Sequence, residues 1–535
     1  MKNNTIITVA DHQKLRKENS FQKNTYYQNA DVLIIGSGAG GSVAAAEFAR
    51  AGKSVVLIEE GPFVEAGEFS HDEFQSLSRL YRDGAYVSSE DFSIHILQGR
   101  CIGGSTTVNW QTCIYPSRFT TDEWDQNFGL KGYSREEMAP FIQEVEKKIG
   151  VKNVPLNMIN RNNDVLRKGA KKLNISHTIN QNNNADECIG LGRCGLGCPI
   201  NAKRSTMLTF LPEALDHGAR IFSSVRAEKI IDGKTKKIIA RYSPDPGLLE
   251  SSEKQTIENS PIENFEFTAK VVIVCAGAIE TPALLQRSGL GNSFVGKRLK
   301  LHPVGSILSR FDKPVEAFYG TPQSVVIEEY ANYDKKGHGF IFEAAPYRPT
   351  ITSLLIPFYG KNQFEVMKNY RYLQTGIVIV RDGSSGEVEA SVEYGKSERK
   401  VNFKLTNSDA KLMLAGLQKF AQLMAAAGAI ELVFPFTRIN KPYIVKPGDT
   451  FEWILNEKSG TGDLLLGSAH PHGSVQAAAS ESNGALNPDF ELYGHKNIYV
   501  MDGSWMPTAI GVNPQILIMS ATMRAARNAI QKLYQ

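Results

Sequence analysis

Two histidines, His470 and His472 in the run Ala469-His470-Pro471-His472-Gly473-Ser474, are the side chains best suited to move a proton at neutral pH. Imidazole exchanges its proton near pH 6.5, and a base whose pKa lies close to the working pH contributes about 10²–10⁴-fold in rate. In an extended segment residues i and i+2 face the same side, so periodicity does not choose between the two rings. A second constellation is Gly36, Gly38 and Gly41, a G-x-G-x-x-G with Glu59 placed 18 residues beyond its last glycine. Such glycines let the backbone approach a pyrophosphate at a helix N-terminus, and an acid at that distance can bond ribose hydroxyls. The pattern indicates an adenine dinucleotide and does not separate NAD from FAD. Cys188, Cys194 and Cys198 form C-x5-C-x3-C. That is not the C-x2-C of a zinc pair, and no fourth ligand adjoins it, so no metal is expected and the thiols fit buried, inert positions.

The elements around these residues follow from hydrophobic pattern. Val32 to Ile35 is a continuous apolar run, as a buried parallel strand requires, and the glycine turn follows at once. An Ala-rich helix to Arg50 and a second buried strand, Val55 to Ile58, complete a strand-turn-helix-strand unit ending at Glu59-Glu60. Val388, Ala390 and Val392 alternate with polar residues, as do Val401, Phe403 and Leu405, predicting antiparallel strands with one solvated face. Asn407-Ser408-Asp409 predicts the cap of a helix with Met413, Leu417, Phe420 and Met424 on one stripe, closed by Gly428. A polar connection spans residues 244–263.

Length and composition bound the function classes. A chain of 535 residues has room for two to four structural units and a bulky cofactor. Lys+Arg 60 against Asp+Glu 56 is too balanced to imply a nucleic-acid partner, and 42% hydrophobic residues exclude a disordered chain. Six cysteines are too few for a disulfide scaffold. The N-terminal twenty residues lack a secretory apolar core. The greasiest segment, 412–434, is interrupted by Gln418, Lys419 and Gln422, so no transmembrane segment is expected. The expectation is a cytoplasmic protein, compatible with peripheral contact with a membrane.

Further segments carry a family resemblance. Gly99-Arg100-Cys101-Ile102-Gly103-Gly104-Ser105-Thr106-Thr107-Val108-Asn109 resembles the first signature of the glucose-methanol-choline (GMC) flavoenzymes. The stretch from Gly277 to Gly289 resembles the second. His470-Pro471-His472-Gly473-Ser474 resembles the family's H-x-x-G-[ST] active-site strand, and Asp502-Gly503-Ser504 with Gly511-Val512-Asn513-Pro514-Gln515 its C-terminal flavin-contacting block. The resemblance runs from residue 30 to 525 in the family's order. Within it the chain is nearest the long-chain and sterol-type alcohol oxidising branch, through the cysteine- and glycine-rich loop before Lys203 and the Leu301-His302-Pro303 run.

The resemblance implies an α/β fold: a Rossmann-like FAD-binding domain with an inserted substrate domain of antiparallel sheet plus helices. The organisation it suggests is a lead at 1–29, an FAD-binding domain at 30–319 with insertions about 110–215, a substrate domain at 320–455, and a return to the FAD-binding domain at 456–535. It implies FAD contacts at Gly36, Gly38, Gly41, Glu59, Gly103, Gly104, Ser105, Asn109, Val225, Asp502, Gly503 and Pro514. The position where some members link FAD covalently through histidine is Val108 here, so FAD is expected to be non-covalent. His95 is off the motif and reads as structural, as does His302. The spacing to Gly473 favours His470 as base, with Asn513 orienting the substrate oxygen. The implied activity is oxidation of an alcohol to a carbonyl by proton abstraction and hydride transfer to flavin N5. Oxygen, a quinone or a redox protein would then take the electrons. The apolar and aromatic residues Phe342, Pro346, Tyr347, Leu354, Leu355, Phe358 and Tyr359 favour a bulky or lipophilic alcohol over a sugar. A non-redox lyase of the hydroxynitrile-lyase kind on the same FAD scaffold is the alternative.

Overall fold

The apolar run ending at Ile35 forms the middle of the first sheet. In the computed structural model, which describes residues 6–184, 186–248, 261–393, 396–460 and 462–534, that run closes the strand Thr25–Ile35. It pairs in parallel with Val55–Ile58 on one side and Asn264–Val274 on the other. Arg220–Phe222 extends the sheet beyond Val55–Ile58, again in parallel. Asn264–Val274 is long enough to hold two partners along one edge. Its first half pairs antiparallel with Lys236–Tyr242, and its second half pairs in parallel with Ile498–Val500. The apolar runs Val32 to Ile35, Val55–Ile58 and Val271 to Val274 lie side by side in the sheet, unbroken because both of its faces are covered there. The helices Ala39–Arg50 and Gln515–Tyr534 pack against each other as part of that cover. Residues 249–260 of the polar connection lie outside the described residues.

The second sheet is antiparallel in its main path, in the order Phe340–Ala344, Leu373–Val380, Val304–Arg310, Glu431–Val433, Tyr443–Ile444. It takes strands from both sides of the 320–455 span. Val304–Arg310 is central, Leu466–Ser468 pairs with its first residues, and Ile94–Ile96 adds in parallel to Leu466–Ser468. Leu373–Val380 is buried at every position. Its alternate residues Val378 and Val380 pack with Met413, Leu417 and Phe420 of the helix Asn407–Ala427, while Ile377 and Ile379 pack with Tyr347 on the opposite face. Gly376 allows the helix this close, since a Cβ there would stand 1.8 Å from the Phe420 ring.

Two local expectations shift slightly. The helix is capped one residue earlier than predicted: Thr406 Oγ1 accepts from the Asp409 N–H at 3.2 Å, and Gly428 closes it at φ +102°. The predicted hairpin is present as Gly386–Glu393 with Lys396–Asn402, so Phe403 and Leu405 fall beyond its second strand. No helix among the described residues is long and apolar enough to cross a membrane.

Several imidazoles are enclosed by this packing. Burial holds His12 down to about 4, with its Nδ1 accepting the Ile262 N–H at 2.9 Å. Burial likewise holds His472 to about 3 and His302 well below the usual value. Below pH 6.5 the unfolded chain takes up protons on these rings and the folded chain does not. Stability is therefore full above pH 6.5 and declines as pH falls toward 4, by on the order of 1–2 kcal/mol per ring at pH 5. The thermal midpoint at pH 5 should lie below that at pH 7, and a flat midpoint across this range would contradict the argument.

Candidate active site

The glycine loop divides its work. Gly36 lies at φ +99° and a Cβ on it would meet the Cys275 carbonyl oxygen at 2.2 Å; one on Gly41 would meet the Gly36 carbonyl oxygen at 1.9 Å. These two glycines serve close packing of strand and helix. A Cβ on Gly38 meets nothing within 4 Å, because Gly38 opens onto a cavity of about 170 Å³. Gly104 belongs to the same wall, and a Cβ on it would stand 2.8 Å from Gly38 Cα. Glu59 braces the loop: its Oε2 accepts from the Ser37 N–H at 2.9 Å and hydroxyl at 2.7 Å, and its Oε1 from the Gly61 N–H at 2.8 Å.

Of the predicted cofactor residues, Gly36, Gly38, Glu59, Gly104, Ser105, Val225, Asp502, Gly503 and Pro514 line this cavity. Asn109 lines the neighbouring one. Gly41 and Gly103 are not brought to either wall; the Gly103 N–H donates to Ser37 Oγ at 3.0 Å from behind the loop. The Asp502 carboxylate is engaged by protein donors, accepting from the Gly277 N–H at 2.8 Å, the Thr281 hydroxyl at 2.5 Å and the Ser504 N–H at 2.8 Å. Sequence reasoning missed Glu60, Arg82, Arg226 and Arg287, which also line the cavity. They come from four separate elements, and no local motif joins them.

A second cavity, of about 540 Å³, adjoins the first. Ser105, Ala469, His470 and Pro514 line both, so His470 stands where the two meet. The strand Leu466–Ser468 ends two residues before it, and the chain then turns rather than remaining extended. The i, i+2 symmetry is thereby broken. His472 is fully buried, bridges to Lys300 and donates its Nδ1–H to the His470 carbonyl at 2.7 Å, while only His470 reaches the cavities.

The His470 ring has a neighbour at each nitrogen. Its Nδ1 lies 3.4 Å from His302 Nδ1, and its Nε2 lies 3.3 Å from the Asn513 side-chain nitrogen. Desolvation lowers its pKa to about 4, so the ring is neutral through the physiological range. His302, expected to be merely structural, meets His470 edge to face and accepts backbone N–H groups of Ile510 and Gly511 on its Nε2 at 3.1 and 2.9 Å. His95, also expected to be structural, lines the larger cavity.

A chain of hydrogen bonds runs alongside. Asn109 donates to Gln515 Oε1 at 2.9 Å, Gln515 donates to the Thr112 carbonyl at 2.7 Å, and the Thr112 hydroxyl donates to Gln323 Oε1 at 2.7 Å. Gln323 then donates to Glu343 Oε2 at 2.5 Å, and burial pushes the Glu343 carboxyl up to about 8. Lys203 Nζ donates to the carbonyls of Thr107, Asn109 and Cys194 at 2.5, 3.1 and 2.7 Å, tying the signature turn to the cysteine loop. Gln111 donates to Cys194 Sγ at 2.6 Å, and among the described residues no group of three His, Cys, Asp or Glu is placed to hold a metal ion.

Comparison with known proteins agrees with this geometry. Residues 77–304 and 382–522 match the two parts of the GMC oxidoreductase family, and residues 31–84 match FAD dependent oxidoreductases. A GMC-type oxidoreductase of Mycobacterium tuberculosis is 31% identical, over 94% of this chain and 76% of the relative. The chain belongs to the GMC oxidoreductase family. Long-chain-alcohol oxidase FAO4B of Arabidopsis thaliana is 30% identical over 95% of this chain and 68% of its own length. The solved structure of pyridoxine 4-oxidase superposes with a TM-score of 0.68, covering 94% of this chain and 99% of that one at 16% identity, which shows the shared fold. As a GMC oxidoreductase the protein is an FAD-dependent enzyme with an α/β, Rossmann-like cofactor domain. The glycine cradle at Gly38 and Gly104 fits a pyrophosphate, and the buried Val108, where a linking histidine would stand, fits non-covalent FAD.

The opening at Gly38 makes a clean test. Gly38 has φ −67°, which any residue adopts, and a Cβ added there meets nothing within 4 Å. Gly38→Val should therefore fold with a thermal midpoint close to that of the apoprotein, yet lose bound FAD by at least about tenfold in Kd. Full retention of yellow flavin in this variant would refute the cradle.

Proposed function

We propose that this enzyme oxidises a neutral, bulky, lipophilic alcohol to the corresponding carbonyl compound. The observation that carries the reading is the lining of the larger cavity. It holds about 540 Å³, contains no Lys, Arg, Asp or Glu, and has His470 and Asn513 at the end that adjoins the cofactor cavity. A hydroxy acid or a cationic alcohol would be buried there without a counter-charge, at high cost. Tyr347, Leu354, Leu355 and Tyr359 line it as the sequence suggested, whereas Phe342 and Phe358 belong to the core. Phe74, Tyr86, Leu354 and Tyr359 line the cavity while exposed to solvent, giving it an apolar mouth suited to a greasy substrate. The long-chain-alcohol oxidase name of the Arabidopsis relative supports the same class.

Bound FAD supplies the two-electron acceptor. The protein's part is to hold the hydroxyl at the junction of the cavities and to accept its proton. His470 is assigned the proton, since its desolvated ring is neutral and lines both cavities. Asn513 has no basic site and is assigned to orient the oxygen. Oxygen, a quinone or a redox protein takes the electrons onward.

Replacing His470 with Ala should lower kcat by about 10²–10⁴-fold while FAD stays bound. Because the pKa of His470 is lowered to about 4, the acid limb of kcat/KM assigned to it should lie near pH 4 and not near 6.5. Anaerobic addition of long-chain or sterol-like alcohols should bleach the flavin. A flavin that no alcohol bleaches would sink the redox reading in favour of a lyase on the same scaffold.

A further inference from the structure

Two hydroxyls stand on the sheet wall of the larger cavity, beside the apolar side chains of Val304, Ile377 and Ile379. Ser306 and Tyr347 both line it, both are buried, and their oxygens are 3.3 Å apart. Ser306 lies across from Ile377 on the sheet, two residues from Val304, which pairs with Ile379. Trp110 packs edge-on against the Tyr347 ring. The two hydroxyls carry two hydrogens, and the bond between them uses one. Among the described residues neither side-chain oxygen has another hydrogen-bond partner, so one O–H donor is left without an acceptor. The polar groups nearer the cofactor are otherwise engaged: Asn109, Gln515, Thr112 and Gln323 bond one another in series.

The geometry points to a second recognition site in the same cavity. The Ser306–Tyr347 hydroxyl pair receives a neutral acceptor oxygen, a hydroxyl or a carbonyl, carried by the substrate at the end remote from its reacting carbinol. His302, whose ring meets His470, stands four residues before Ser306, so the Cα atoms of these two residues are at most about 13 Å apart. A carboxylate does not suit the distal position, since no cation lines the cavity. The substrate class is thereby narrowed to elongated bifunctional alcohols, diols or hydroxyketones with an apolar middle. This rests on the alcohol oxidation proposed above.

The test compares α,ω-alkanediols with n-alkanols of matched length, on the FAD-loaded enzyme and on the double variant Ser306→Ala/Tyr347→Phe. Both hydroxyls must go, because either alone keeps a hydrogen to donate. The expected result is a diol length at which the diol-to-alkanol ratio of kcat/KM peaks in the wild type, and a fall in that ratio of about tenfold in the double variant, carried by KM. The same ratio in both proteins, or no preferred diol length in the wild type, would overturn the second site. A binding arm runs beside the kinetics: an ω-hydroxyalkanone and the plain alkanone are titrated against oxidised holoenzyme and followed by the flavin absorbance. If neither alcohol series is oxidised, the alcohol reading fails on its own. The binding arm then still decides the site, a tighter hydroxyalkanone in the wild type alone supporting it and equal affinities in both proteins refuting it.

Discussion

The site depends on one run of backbone pairing, between residues 300–305 and 466–472. Val304 and Gly305 pair with Gly467 and Leu466, and Lys300 and His472 exchange both backbone hydrogen bonds at 2.8 and 2.9 Å. Beyond that, the Gly473 N–H donates to the Gly503 carbonyl at 3.0 Å and the Val475 N–H to the Ser504 carbonyl at 2.9 Å. One short segment is thus bonded at its beginning into the second sheet and at its end to the stretch that lines the cofactor cavity. His470 lies between these two anchorages. Its position at the junction of the cavities follows from the pairing on either side, and His302 meets it because His302 lies between Lys300 and Val304, which pair with His472 and Gly467.

Desolvation is the common electrostatic theme of this junction. His470 is lowered to about 4, Glu343 is raised to about 8 and Lys203 is lowered to about 8, in each case with burial as the largest cause. Every shift favours the neutral form. Among the described residues that line the larger cavity there is no Lys, Arg, Asp or Glu, and a hydrogen bond to an oxygen held there is stronger than it would be in water. Lys203 tolerates its burial because three carbonyls take its three hydrogens. At Glu343 burial outweighs the opposing pull of the Asn513 and Gln323 side-chain amides, which is consistent with a carboxyl that keeps its proton near neutrality.

The sequence was most legible where function constrains consecutive residues. The turn at 36–41, the signature at 99–109 and the segment 502–515 each pack several contacts into one stretch, and each lies at a cavity wall. It was least legible where partners come from afar. Glu343 and Gln323 join the polar chain across 20 residues, and His302 meets His470 across 168, with nothing in either local sequence to mark the meeting. The equivalence of His470 and His472 was an artefact of assuming an extended strand, which ends at Ser468. The second sheet was under-drawn for a related reason: Val304–Arg310 is buried at all its inner positions and shows no alternation, and Leu466–Ser468 is only three residues long, so pattern does not tell which sheet they join.

The two kinds of wall in the larger cavity select in different ways. An apolar lining discriminates by about 1–3 kcal/mol per methylene and rejects an added hydroxyl only weakly, so by itself it admits many greasy alcohols. A polar group held without a partner discriminates far more strongly, because an occupant that fails to reach it leaves it unmet. At the cofactor end His470 and Asn513, the pair proposed above to take and orient the hydroxyl, line the cavity and would impose that demand on a substrate. Along the sheet wall the residues are Val304, Ile377 and Ile379, which ask only for apolar surface, until Ser306 and Tyr347 are reached. With the second site proposed above, the cavity makes that demand at two places, an arrangement that measures a substrate by the separation of its polar groups.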